Sequence, residues 1–143
     1  MFGLKKMFGN GKVAAKKLEN RDLMQAVVGG CLLVAAADGS ISQDEANQID
    51  KQLRANKNLE HFGSEITEVT NRFTEQLTAG FLLGKMNILR EIRDVKNNQA
   101  DAEEVFVNMI VVAQSDGDVS AKELEVLTQI GNELGLRVKD YGL

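Results

Sequence analysis

Six segments of the chain repeat apolar residues every three or four positions, the spacing of one face of an α-helix. No proline interrupts them anywhere in the 143 residues. A sandwich or barrel would need many punctuated turns. The pattern therefore predicts a single all-α domain without a sheet, of six helices, or seven if the N-terminal segment also forms one. The six predicted helices are Asp22–Ala37, Ser42–Ala55, Ser64–Leu77, Leu82–Val95, Asp101–Gln114 and Ser120–Leu134.

Two of these segments, Asp22–Ala37 and Asp101–Gln114, are apolar on almost every side and are predicted to be buried. Gly29 and Gly30 fall inside the first of them, where each glycine costs about 1 kcal/mol relative to alanine. We expect this cost to be offset by a close helix crossing. Asp101 is predicted to be the N-cap of its helix, with Glu104 at the third position.

The stripes of the other helices predict their inward faces. They comprise Ile49 and Leu53, then Ile66, Val69, Phe73 and Leu77, then Met86, Leu89, Ile92 and Val95, and finally Leu124, Leu127, Ile130 and Leu134. Gly135 follows the last stripe, which predicts a left-handed C-terminal cap.

One string occurs twice. Residues 34–45, Val-Ala-Ala-Ala-Asp-Gly-Ser-Ile-Ser-Gln-Asp-Glu, return as residues 112–123, Val-Ala-Gln-Ser-Asp-Gly-Asp-Val-Ser-Ala-Lys-Glu, at an offset of 78. The similarity extends to flanking apolar positions. It predicts a duplicated helix–turn–helix unit, with copies centred on residues 22–55 and 101–134 and related by a pseudo-twofold axis.

Most of the repeated string has a structural explanation. The glycine supplies the positive φ that ends a helix, and Ser-x-x-Glu forms a capping box at the start of the next. The aspartates, Asp38 and Asp116, are different, because a negative charge at a helix C-terminus opposes the macrodipole. Either a bound cation or an Asx turn onto nearby backbone amides would explain them.

The string also matches half of an EF-hand, with the aspartate at loop position 5 and the glutamate at position 12. Positions 1 and 3 lack carboxylates, so neither copy alone forms a complete calcium cage. A cation could still be held if a turn adds Asp44 or Asp118, or if the two copies pool their ligands. Oxygen-only ligands favour Ca²⁺ or Mg²⁺.

Charge divides the chain into two parts. Residues 1–21 hold six basic residues and one acidic residue, whereas residues 22–143 hold 11 basic and 20 acidic ones. The first part is a basic amphipathic arm suited to peripheral contact with an anionic membrane. Alternatively, the arm closes over the acidic domain of its own chain, or it is simply a tail. The acidic domain, residues 22–143, is poorly suited to nucleic acid.

The remaining composition excludes several kinds of chemistry. A single histidine, His61, and a single cysteine, Cys31, rule out zinc sites built from several such ligands. Cys31 is predicted to be an inert core thiol, and it cannot form an internal disulfide. With no recognisable secretory signal, the chain is expected in the cytoplasm.

At the repeated string and at the ending Lys-Asp-Tyr-Gly-Leu, the chain resembles the TerB family of tellurite-resistance proteins. The resemblance implies an all-helical, non-enzymatic stress-response protein associated with the membrane protein TerC and with calcium-binding TerD-type proteins. It further implies a location at the inner face of the membrane. A metal site on the acidic face would by the same resemblance fall on Asp38, Glu45, Asp116 and Glu123, with Asp44 and Asp118 as further ligands.

The two copies differ in charge at two positions, which predicts unequal affinities. Ser40 stands where the second copy has Asp118, and Lys122 stands where the first has Asp44. Two other functions fit the same residues. One is a metal-dependent hydrolase that uses these carboxylates, and the other is a purely structural, protein-binding scaffold without metal.

Overall fold

The computed structural model describes residues 21–143, and the basic arm over residues 1–20 lies outside them. The described residues form six α-helices and contain no strand, which confirms the all-α prediction. Helix α1 covers 21–35 of the described chain. It is followed by α2 (Gln43–Arg54), α3 (Ser64–Ala79), α4 (Phe81–Asp94), α5 (Gln99–Gln114) and α6 (Ala121–Leu134). Short 3-10 turns lie at Glu60–Phe62 and Val138–Tyr141.

Helix α1 is the centre of the core. Nearly all its side chains from position 23 to position 34 are buried, as its uniformly apolar sequence predicts. A Cβ atom on Gly29 would lie 2.6 Å from Cγ2 of Ile88 in α4. One on Gly30 would lie 2.8 Å from Sδ of Met109 in α5. The predicted close crossing is therefore present, and it involves two partner helices. The twofold relation between the copies stays a prediction.

Helices α3 and α4 form a tight hairpin joined by one residue, Gly80. Gly84 lets the two backbones approach closely, since a Cβ there would lie 2.7 Å from the Leu77 nitrogen. The Asn87 side-chain amide donates to Gln76 Oε1 at 3.2 Å across the same interface. These contacts place residue 84 of α4 level with residue 77 of α3.

Helix α2 packs on α3 through a largely buried carboxylate. The Thr67 hydroxyl lies 2.8 and 3.0 Å from the two oxygens of Asp50, and Nε of Arg54 donates to the same carboxylate at 3.2 Å. At the other end of α2, Gln43 lines a depression together with Thr78 of α3. The two helices therefore run antiparallel.

The structure corrects three local predictions. Asn98, not Asp101, caps α5, because the Asn98 side chain accepts from the Asp101 amide at 3.1 Å and the helix begins earlier. Met86 and Leu124 are exposed although both belong to predicted inward stripes. Leu89, Ile92 and Val95 are buried as predicted, and Ile88 joins them in place of Met86. In α6, Leu127, Ile130 and Leu134 are buried as predicted.

Replacing Gly84 by alanine should lower the stability of the protein. The added Cβ would collide with backbone atoms of α3, which cannot move aside as a side chain can by changing its rotamer. We expect the free energy of unfolding to fall by about 2 kcal/mol. Gly80→Ala is the matched control, because nothing lies within 4 Å of a Cβ there and its φ of −165° is open to any residue. Urea unfolding should find a loss of about 1 kcal/mol or less for the control. Equal losses in the two variants would contradict the close-packing account.

Candidate functional site

The two repeated turns have the local structure that their sequences predict. Gly39 and Gly117 adopt φ values of +99° and +114°, a region that disfavours other residues. In each copy the serine hydroxyl accepts from the glutamate amide at 3.1 Å. Each glutamate in turn accepts from the serine amide, Glu45 at 3.0 Å and Glu123 at 2.8 Å. Both capping boxes are therefore complete.

The aspartates of the two turns differ in their contacts. Asp38 accepts a hydrogen bond from the Ser40 amide at 3.2 Å, which is the Asx turn expected of an aspartate without a cation. Within residues 21–143, Asp116 has no such bond to its own turn. The first aspartate thus has a structural explanation, and the second does not.

Asp116 faces a small cavity that also receives a carboxylate from the other copy. The cavity has a volume of about 80 Å³ and is lined by Glu45 and Ala35 from the first copy and by Ser115 and Asp116 from the second. Gln48, Gln52, Ile49 and Val112 complete its wall. One carboxylate from each copy therefore borders the same space.

The other predicted ligands lie elsewhere. Glu123 is engaged in its own capping box, and Asp118 borders a separate depression beside Leu124 and Leu143. Asp44 lies exposed in the first turn of α2, where its charge favours the helix dipole. Across residues 21–143 no three histidine, cysteine, aspartate or glutamate residues gather as a metal-binding group.

The polar side chains that line the cavity all carry oxygen atoms that could bind a metal ion. Glu45 keeps one carboxylate oxygen outside its capping bond, and Asp116, Ser115, Gln48 and Gln52 supply others. Such a set is of the hard kind that Ca²⁺ and Mg²⁺ prefer. The cavity is large enough to hold at least one water molecule. It therefore combines oxygen-bearing groups with one carboxylate from each copy.

Cys31 and His61 lie apart from this cavity. Cys31 is fully buried in α1, and burial raises the pKa of its thiol far above the ordinary value. His61 stacks against Phe62 in the short 3-10 turn, with ring centroids 4.2 Å apart. Neither has the setting of a catalytic nucleophile or base.

A comparison with protein-family models decides the identity of the domain. The model described as tellurite resistance protein TerB matches residues 24–143, all but three of the residues that the structure describes. The chain belongs to the TerB family. Neither curated proteins nor solved structures gave a match, so the assignment rests on this family model and on the fold.

TerB domains are generally non-catalytic. The TerB match covers both repeated turns and the hairpin between them. Over residues 21–143 no helix is long and apolar enough to cross a bilayer.

Two polar features of the structure were not singled out in the sequence, one at the cavity and one in the α2–α3 interface. The pairing of Glu45 with Asp116 depends on how α1 and α5 cross, although pooled ligands from the two copies were one of the expected arrangements. Asp50 carries no motif, and only its α-helical position among apolar neighbours marks it as partly buried.

The Cys31 thiol of this TerB chain should be inert toward a chromogenic disulfide reagent in the folded protein. Because burial raises its pKa, the thiolate that reacts is scarce at pH 7 to 9, and the reagent has no access. The same sample in denaturant should release one equivalent rapidly. Fast stoichiometric reaction without denaturant would overturn this expectation and would reopen thiol chemistry on tellurite.

Proposed function

We propose that this protein is a non-catalytic interaction module of tellurite resistance that binds one divalent cation, Ca²⁺ or Mg²⁺, between its two repeated turns. The observation that carries the proposal is the shared cavity, which is bordered by Glu45 of one copy and Asp116 of the other. In its cation-bound form the module docks to partner proteins at the inner face of the membrane.

Electrostatics supports a cation at this position. Asp116 follows the C-terminus of α5, where the helix dipole disfavours a negative charge, and Glu45 brings a second carboxylate to the same cavity. A divalent ion would offset both charges. Because its ligands would come from two separate helix–turn–helix units, binding would fix one unit against the other.

The other predicted ligands have secondary roles in this proposal. Asp38 and Glu123 shape the turns through their hydrogen bonds, and Asp44 and Asp118 add negative potential that attracts the ion. The unequal surroundings of the two turns are consistent with a single shared site.

The partners follow from family membership and from charge. TerB membership supports the membrane protein TerC and TerD-type proteins as partners, in a membrane-associated Ter complex. Residues 22–143 carry nine more acidic than basic residues, which favours basic partner surfaces and disfavours nucleic acid. The basic arm, residues 1–21, would add peripheral contact with the anionic inner leaflet.

Calorimetry on chelator-treated protein should detect saturable binding of Ca²⁺ or Mg²⁺ at one site. Glu45→Gln with Asp116→Asn should weaken it at least tenfold, because two charged ligands are lost while glutamine preserves the capping box. Asp38→Asn is the matched control, since asparagine keeps the Asx turn and Asp38 does not border the cavity.

The melting temperature provides an independent measurement for the same three proteins. Excess cation at about one hundred times Kd should stabilise the native state by about 2.7 kcal/mol. The double variant should lose this rise and the Asp38→Asn control should keep it. Absence of heat and of any thermal shift in the unmodified protein would refute the cation site.

Docking can be tested separately with purified TerC in detergent. The full chain carrying an affinity tag should retain TerC in the presence of the cation that calorimetry selects, and less of it with chelator or with the double variant. Retention that is equal in all conditions would leave TerC as a partner and exclude the cation from docking. No retention would exclude TerC.

A further inference from the structure

The end of the α3–α4 hairpin exposes three large apolar side chains within one helical turn. Leu82 is 76% exposed, Leu83 is 69% exposed and Met86 is 48% exposed. We call these three residues the hairpin tip. Leu82 and Leu83 are the most exposed of the large hydrophobic residues over residues 21–143. Clustered exposed apolar surface of this kind typically marks an interaction site.

The exposed apolar surface of the hairpin is confined to the start of α4. A single residue, Gly80, connects the two helices, and the close approach at Gly84 holds them together just behind the connection. The next apolar residues of α4, Ile88 and Leu89, already face the core. The exposed apolar surface therefore ends at Met86.

The tip lies within a segment that has basic residues and no acidic ones. The segment Gln76–Arg90 contains no aspartate or glutamate and includes Lys85 and Arg90, in a domain that is otherwise strongly acidic. Arg72 of α3 lies level with Arg90, because residue 84 of one helix is level with residue 77 of the other. Arg72 and Arg90 line one cleft with Gln76 and Asn87.

These basic groups form no ion pairs in the described chain, but one carboxylate lies among them. Over residues 21–143, neither Lys85, Arg72 nor Arg90 lies within ion-pair distance of an acidic side chain. Glu91 lines the same cleft next to Arg90, and its carboxylate interacts electrostatically with Arg72, so it offsets part of the positive charge there. Glu75 lies on the other side of the hairpin, toward α2, beside Gln43 and Thr78.

We propose that the hairpin tip inserts into the interfacial layer of an anionic lipid bilayer. Along α4, Arg90 lies about 6 Å beyond Met86 and about 12 Å beyond Leu82, at a rise of 1.5 Å per residue. Peripheral helices bury apolar groups about 5–10 Å into the boundary between headgroups and acyl chains. Insertion of the tip to that depth would bring Arg72 and Arg90 to the level of the lipid phosphates, and the long side chain of Lys85, beside Met86, would extend to the same level.

Charge favours a lipid surface over a second copy of the chain. A symmetric dimer through the tip would place the same patch of each subunit against the other, which would bring the basic residues of both copies together. An anionic bilayer accepts the apolar tip and the positive charge behind it at the same time. This site uses none of the residues of the proposed cation cavity, so either proposal can fail alone.

The test is sedimentation of the full chain with vesicles of phosphatidylglycerol and phosphatidylethanolamine, in chelator so that the cation site plays no part. Leu82→Ser with Leu83→Ser should reduce the partition coefficient at least tenfold, because two apolar side chains can no longer be buried. Val107→Ser with Val111→Ser is the matched control. Those valines are two other partly exposed apolar residues, on α5 and away from the tip in sequence, and their replacement should leave binding unchanged.

A second pair of variants separates charge from insertion. Arg72→Gln with Arg90→Gln should weaken binding to anionic vesicles several-fold and leave the weak binding to pure phosphatidylcholine vesicles unchanged. The basic arm is present in every variant, so it contributes equally to all of them. Circular dichroism should find the same helix content throughout, because all the substituted positions are on the surface.

Three results would overturn the proposal. The unmodified chain could fail to sediment with anionic vesicles, or the tip variant could bind as well as the valine control. Alternatively, light scattering could find a dimer that only the tip variant dissociates, which would make the patch a subunit interface. Retention of binding after loss of the tip would assign membrane contact to the arm.

Discussion

The contact between α1 and its two neighbours at Gly29 and Gly30 determines the rest of the structure. Without Cβ atoms at these positions, Ile88 of α4 and Met109 of α5 can pack directly on the α1 backbone. The propensity cost of two glycines, about 1 kcal/mol each, is offset by the burial that this approach allows. Helix α1 can be buried on almost every side only because this crossing brings other helices onto it.

The same crossing brings the repeated turns together. Helices α1 and α5 meet at Gly30 and Met109, and each ends within a few residues of that contact. Ala35 and Val112, near the ends of the two helices, therefore border one cavity with Glu45 and Asp116. The geometry of the candidate site is thus a consequence of core packing, since neither turn assembles it alone.

The sequence was most informative where structure is local. Both capping boxes and the left-handed Gly135 depend on a few adjacent residues, and all were predicted correctly. The N-cap of α5 was assigned wrongly because two side chains, Asn98 and Asp101, compete within three positions, and the earlier one extends the helix. Periodicity also misplaced Met86, because a stripe chosen by spacing does not specify where the neighbouring helix ends.

Duplication explains why the two proposed activities lie in different parts of the chain. The repeated units, α1–α2 and α5–α6, supply one carboxylate each to the cavity that we propose holds a cation. The α3–α4 hairpin lies between them in sequence and has no counterpart, so its end is not constrained to match either copy. An apolar tip there has Arg72 and Arg90 behind it, on the face of the hairpin that opens beside Gln25 of α1. Glu75 and the start of α2 lie on the other face. Separate segments can therefore respond to separate ligands, a lipid surface and a divalent ion, within one domain.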